Sequence, residues 1–277
     1  MTLLLLLDAC DKGKIATDDK VTISENAASM GGSQMYLEPG EQHTVEELLK
    51  GVIMASANDG AVALAEHLSG SVEEFVDDMN AKAAEMGLKN SHFVNTNGLP
   101  VAEHYSCAYD IGMICRQLMT YEFARDWFTA WQEDIKVGLP GKEKDFTLTN
   151  TNKMIRTYKG AIGGKTGFTQ DAGYCLAEAA QRDSTRMIAV VLGCKDSKVR
   201  FAETARLLDH GFASYETVPV AKKGQKLRTI TLPKSDQQEV AAVPEETIAA
   251  TVKKGKKANI TKKISIDKSV ACPVKKG

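Results

Sequence analysis

The chain has 277 residues, 43% hydrophobic and 26% charged, with 35 basic against 36 acidic side chains. That is enough to bury one large core, or one core with a smaller satellite domain, and it has the balance of a globular protein rather than a disordered one. Six cysteines without a CxxC pair and five histidines without HExxH argue against a zinc site, so no metal or other cofactor is expected.

The opening stretch MTLLLLLDAC is made of good helix formers and is apolar nearly all round, the pattern of a central helix buried on every side. As a secretion signal or lipid-attachment site it is poorly built, because no basic residue precedes the leucines and the run stops at Asp8. No apolar run approaches the roughly 18 residues of a membrane-spanning helix. VTIS predicts a short strand, and MYLEPGEQH a turn leading to Thr44. Thr44 with Glu47 has the spacing of a capping box for the helix VEELLKGVIMAS, and Ser71 with Glu74 repeats it. Between these lies GAVALAEHLSG, a second apolar helix, so SAND sits at a break between two helices. Gly87 closes the third, and Ser106 is the expected N-cap of CAYDIGMICRQLM.

After a middle region without clear periodicity, GYCLAEAAQ and TRMIAVVLGC read as two strands joined by a turn at Arg182, Asp183 and Ser184. AIGGKTGFTQDAG precedes them, glycine-rich enough for close backbone approach. SKVRFAETARLLDHGFASY follows as an amphipathic helix. Helices first, then an antiparallel hairpin, then a helix predict an α+β domain with helices packed on a sheet. Residues 217–277 hold 14 Lys/Arg against 5 Asp/Glu, whereas residues 1–216 hold 21 against 31. A boundary is therefore placed near 215–219, with domains 1–215 and 216–277, the second a small β-sandwich of short runs separated by KKG, LPKSD, PEE and KKGKK. Its lysines alternate with β-branched residues rather than with aromatics, the pattern of solvated edge strands and not of a nucleic-acid surface.

Two short motifs carry chemistry: Ser56-Ala57-Asn58 at the helix break and Lys165-Thr166-Gly167 at the entry to the hairpin. Peptide cleavage by acyl transfer needs a nucleophile that loses a proton, a leaving amine that gains one, and fixed donors for the oxyanion. Ser56 has a hydroxyl able to relay a proton, and Asn58 an amide able to fix a carbonyl or a lysine. Lys165 supplies a charge that attracts a terminal carboxylate and depresses neighbouring pKa values, with the Thr166 hydroxyl as a second contact. Gly167 permits an extended substrate to lie along the strand, and the Phe168 N–H is a candidate oxyanion donor. S-x-N and K-T-G are two of the three motifs of the penicillin-interacting serine enzymes, the third being S-x-x-K.

With these motifs in place, the chain resembles the D-alanyl-D-alanine carboxypeptidases, the low-molecular-mass penicillin-binding proteins. GSQMYLEPGEQHTVEELLKGVIMASANDGAVALAEHLSGS, MGLKNSHFVNTNGL and GGKTGFTQDAGYCL all read as that family's sequence. The resemblance implies a β-lactamase/transpeptidase-like domain followed by a C-terminal sandwich. It also implies removal of the terminal D-alanine of peptidoglycan pentapeptides outside the cytoplasmic membrane, and acylation by β-lactams. Any membrane attachment is expected through segments outside these residues. The departure is that no S-x-x-K precedes Ser56: Ser24, Ser29 and Ser33 each lack a lysine three residues on. MTLLLLL matches the stretch just after the family's catalytic lysine, so nucleophile and base are expected ahead of Met1. The alternatives are a catalytically inactive muropeptide-binding protein and a β-lactamase-like hydrolase.

Overall fold

The computed structural model describes residues 1–231, 239–256 and 260–265. It divides into two units, residues 1–181 with 187–209, and residues 182–186 with 210–277.

The first unit is built round α1 (Thr2–Asp11), whose Leu4, Leu6 and Leu7 are fully buried and whose Leu3 and Ala9 are nearly so. An all-round apolar helix has no solvent face to offer, so it becomes the centre of the core. Short β1 (Lys20–Thr22) pairs antiparallel with β2 (Gln42–Thr44), and the one-turn helix α2 (Glu25–Ala28) lies between them in sequence. Thr44 then caps α3 (Val45–Lys50) with both halves of the capping box made, as its spacing with Glu47 predicts. At Ser71 only one half forms: its hydroxyl accepts from the Glu74 N–H and starts α5 (Val72–Glu85).

Between α3 and α4 (Asn58–Ser69) the helix does not stop cleanly but widens into a π-type turn, Gly51–Ala55. Gly51 is needed there because a Cβ would strike the buried Met35 thioether. Ser56 follows in the left-handed conformation, φ 59°, and Ala57 is extended, so α4 leaves in a new direction. A non-glycine residue at positive φ is costly and persists only where its surroundings hold it.

The expected N-cap Ser106 is displaced by one residue. Cys107 caps α6 (Ala108–Leu118), its sulfur accepting from the Asp110 N–H, while Ser106 is drawn instead to the Ser91 hydroxyl at 2.8 Å. The aperiodic middle region folds as α7 (Arg125–Thr129), a hairpin of β3 (Gln132–Val137) and β4 (Lys144–Thr149), and α8 (Met154–Thr157). A three-stranded antiparallel sheet follows, ordered β5 (Ala161–Thr169), β6 (Gly173–Arg182) and β7 (Thr185–Cys194). The turn joining β6 and β7 is two residues, Asp183 and Ser184, with Asp183 at φ 52°. α9 (Ser197–Ser214) comes next.

In the second unit β8 (Tyr215–Ala221) pairs with β11 (Ile248–Lys253), and β9 (Arg228–Thr231) with β10 (Glu239–Ala242), both antiparallel. The tip of the β6–β7 hairpin belongs to this unit: the Ser184 hydroxyl donates to the Thr217 carbonyl at 3.1 Å, and the Thr217 N–H donates to Thr185 Oγ1 at 2.8 Å. The LPKSD turn, part of KKGKK and Cys272 lie outside the described residues. No helix among the described residues is long and apolar enough to cross a membrane.

Candidate active site

The left-handed Ser56 projects toward β5, where Lys165 Nζ donates to the Ser56 hydroxyl across 109 residues of sequence and to the Thr166 carbonyl at 2.9 Å. Burial, and then the neighbouring Arg200 guanidinium, lower the Lys165 amine to about 8. A lysine so tuned is partly deprotonated near neutrality and can both attract a carboxylate and exchange a proton with a hydroxyl.

β5 owes its course to its glycines. Gly163 lies at φ 115° with the Phe128 side chain where a Cβ would stand, and a bulge falls between Ala161 and Gly163. A Cβ on Gly164 would overlap the Ala177 carbonyl oxygen and stand 2.7 Å from Glu178 Oε2. Beyond them the register is regular, with Lys165, Thr166 and Gly167 opposite Ala177, Leu176 and Cys175. Alternation then sends Lys165 and Thr166 to opposite faces of the strand.

Thr166, itself buried, meets the Thr151 hydroxyl at 2.6 Å. Thr151 also donates its N–H to the Met54 carbonyl at 3.0 Å, two residues before Ser56, so it ties the helix break to the strand. Two buried asparagines hold it. Asn150 donates to the carbonyls of Ala130 (2.9 Å) and Phe128 (3.4 Å), and its own side-chain oxygen accepts from the Asn152 N–H at 2.9 Å. Asn58 opens α4, with its amide donating to the Gly31 carbonyl at 2.7 Å and its N–H to the Ser33 carbonyl at 2.8 Å. Its side-chain nitrogen is thus committed to the 31–33 loop rather than to Lys165. Next to it the buried Asp59 carboxylate accepts from the N–H groups of Met35 and Leu37, fixing the same loop.

Gly167 is exposed, and its carbonyl accepts from Arg200 Nη1 at 3.2 Å; the same nitrogen reaches the Cys175 carbonyl at 3.3 Å. Phe168 is 55% exposed and stacks on Tyr174, ring centroids 4.3 Å apart. Hydrogen bonds therefore join Lys165 to Ser56 and to the Thr166 carbonyl and Arg200 to the Gly167 carbonyl, while Asn58 and Phe168 flank them. Sequence reasoning missed Thr151 and Arg200. The doubled asparagine of TNTN was the available signal for the first; the second lies in an ordinary amphipathic helix pattern. Among the described residues no cluster of His, Cys, Asp or Glu has the form of a metal site.

Helices with an antiparallel sheet, and a serine at a helix break bonded to a lysine on the sheet, define the class of penicillin-binding peptidases. The fold aligns with penicillin-binding protein 5 from Haemophilus influenzae at TM-score 0.77 and 32% identity, covering 93% of this chain and 74% of that one. It aligns with the D-alanyl-D-alanine carboxypeptidase DacD from Francisella tularensis at TM-score 0.74 and 30% identity, covering 91% and 73%. The chain belongs to the D-alanyl-D-alanine carboxypeptidase family, whose model matches residues 1–196; a second model, the C-terminal domain of penicillin-binding protein 5, matches 215–277. It is 44% identical to the D-alanyl-D-alanine carboxypeptidase DacF of Bacillus subtilis over 278 aligned residues, all of this chain and 71% of that protein. It is 32% identical to DacC of Escherichia coli over all of this chain and 70% of that one. By family the protein is a carboxypeptidase.

Proposed function

We propose that this site takes the D-alanyl-D-alanine terminus of a peptidoglycan pentapeptide, outside the cytoplasmic membrane, and removes the last D-alanine by acyl transfer to a serine. The observation that carries the reading is the hydrogen bond from Lys165 to Ser56, made by an amine that burial and Arg200 have lowered to about 8. In this mechanism the substrate lies along β5 beside Gly167, its terminal carboxylate facing Lys165, Thr166 and Arg200. A serine oxygen attacks the penultimate carbonyl carbon and loses its proton to a base. The resulting oxyanion is held by backbone N–H groups, the Phe168 N–H being one candidate. As the C–N bond breaks, Ser56 passes a proton to the departing amine and recovers one through Lys165. Water then attacks the ester and frees the shortened peptide. Asn58 holds the rim of the cleft through the 31–33 loop.

On this reading the nucleophile and its base belong to an S-x-x-K motif, which residues 1–55 do not contain. Residues 1–277 are accordingly expected to bind muropeptides without cleaving them. A fluorescent penicillin is expected to leave residues 1–277 unlabelled and to label a chain extended upstream through an S-x-x-K segment. Stable labelling of residues 1–277 would overturn the assignment and make Ser56 the first candidate nucleophile, since losing the nucleophile otherwise leaves only residual rate. The inactive muropeptide-binding protein remains the second reading. It is favoured by the absence of S-x-x-K before Ser56, and an upstream reading frame that lacks the motif would establish it.

A further inference from the structure

Glu178 lies on β6 opposite Gly164, fully buried, in the space that the missing Gly164 side chain leaves open. Its Oε2 accepts from Asn152 Nδ2 at 2.5 Å, the Gly163 N–H is a further donor to the carboxyl, and Oε1 has no hydrogen-bond partner. A buried carboxylate oxygen without a donor is costly when charged. Burial accordingly raises the carboxyl to about 7 against the two hydrogen bonds that oppose it. Asn152 is no passive partner. Its side-chain oxygen accepts from the Met154 N–H at 3.1 Å and its N–H donates to Asn150, so the amide that meets Glu178 also closes the turn presenting Thr151 to Thr166.

We propose that Glu178 is a positioning residue of the site: by holding Asn152 it fixes the 150–152 turn, and ionisation of its carboxyl, which strengthens the bond it accepts from Asn152, tightens the grip of Thr151 on Thr166. The inference rests on the proposed peptide site only for its binding readout. Among the described residues, the titratable group electrostatically coupled to Glu178 from a packed element is Cys115 of α6, whose thiol burial pushes up to about 12, so it stays neutral. Lys165 of β5 lies on the opposite face of the strand and is bonded to Ser56. Asp110 of α6 is taken up by the Asn90 N–H and the Ser91 hydroxyl.

The test is a titration of residues 1–277 with a fluorophore-labelled peptide ending in D-alanyl-D-alanine, between pH 5.5 and 9. In the original protein, affinity is expected to rise about tenfold as pH rises through roughly 7, the size of an ordinary coupling between sites, before the later loss as Lys165 deprotonates. Glu178→Gln keeps an acceptor for Asn152 and cannot ionise, so only the later loss should remain. A rise near pH 7 in both proteins, or in neither, would overturn the proposal. NMR of the Thr151 and Thr166 methyl groups, without peptide, separates this from failure of the binding reading. An inflection near pH 7 is expected in the original protein and should vanish in both Glu178→Gln and Asn152→Ala. In the latter the Glu178 carboxyl should still titrate. Flat threonine shifts in the original protein would overturn the proposal even if peptide binds, and an inflection would sustain it even if peptide does not.

Discussion

Replacing Lys165 by alanine is expected to weaken binding of a D-alanyl-D-alanine peptide roughly 100-fold, the loss of about 3 kcal/mol that accompanies removal of a charged hydrogen-bond donor from an enclosed carboxylate site. Two functions go together in this variant, the charge facing the carboxylate and the donor that holds Ser56 across the cleft. The pH dependence distinguishes them. Lys165 is charged below about 8, so the share of carboxylate affinity that its charge carries should be present below that pH and lost above it. Lys165→Ala should show no such loss. Ser56→Ala should keep it while leaving the lysine without its hydroxyl partner, a change read by the pKa of the amine. Isothermal titration at several pH values measures all three. Equal affinity for the original protein and Lys165→Ala would show that Arg200 alone carries the carboxylate, and would remove Lys165 from the binding site.

The second large effect is on folding. Gly164→Ala places a methyl group onto the Ala177 carbonyl oxygen and against Glu178 Oε2, both on the neighbouring strand of the same ladder. Backbone cannot yield as a side-chain end does, so the strands must part. The expected cost is about 3 kcal/mol, the upper range for overpacking, or roughly a 6–12 °C fall in Tm for a domain of this size. Gly167→Ala is the control three residues further along β5. Its Cβ would meet nothing closer than Cys175 Cβ at 3.8 Å, so stability should be nearly unchanged. Thermal unfolding followed by circular dichroism compares them, and similar melting temperatures would mean that β5 and β6 are less closely joined than the register shows.

Much of this architecture was legible in residue order because it rests on local chemistry. The capping box at Thr44 and Glu47, the glycine stops and the hairpin turn each declare themselves within a few residues, although Arg182, expected in that turn, still belongs to β6. The five leucines announced a buried helix because an all-round apolar stretch has nowhere else to go. Where two local donors or acceptors compete, sequence reading slipped: Ser106 looked the better cap, yet Ser91, fifteen residues away, claimed it and left Cys107 to cap α6. The middle region gave no period because its α7, β3, β4 and α8 are short and half-buried.

By itself, then, the sequence determined the class of the protein, through S-x-N at a helix break and K-T-G ahead of a hairpin, and the chemistry those side chains can perform. Tertiary structure alone decided which groups share a cleft. Thr151 meets Thr166, Arg200 reaches the Gly167 carbonyl, and Glu178 grips Asn152 through contacts spanning 15, 33 and 26 residues. Such contacts leave no periodic trace in a chain, because they depend on where the π-type turn at Gly51 sends α4 and on the close strand approach that Gly163 and Gly164 permit. The lowered Lys165 and the raised Glu178 belong to the same category, since burial is a property of the folded surroundings and not of the residue.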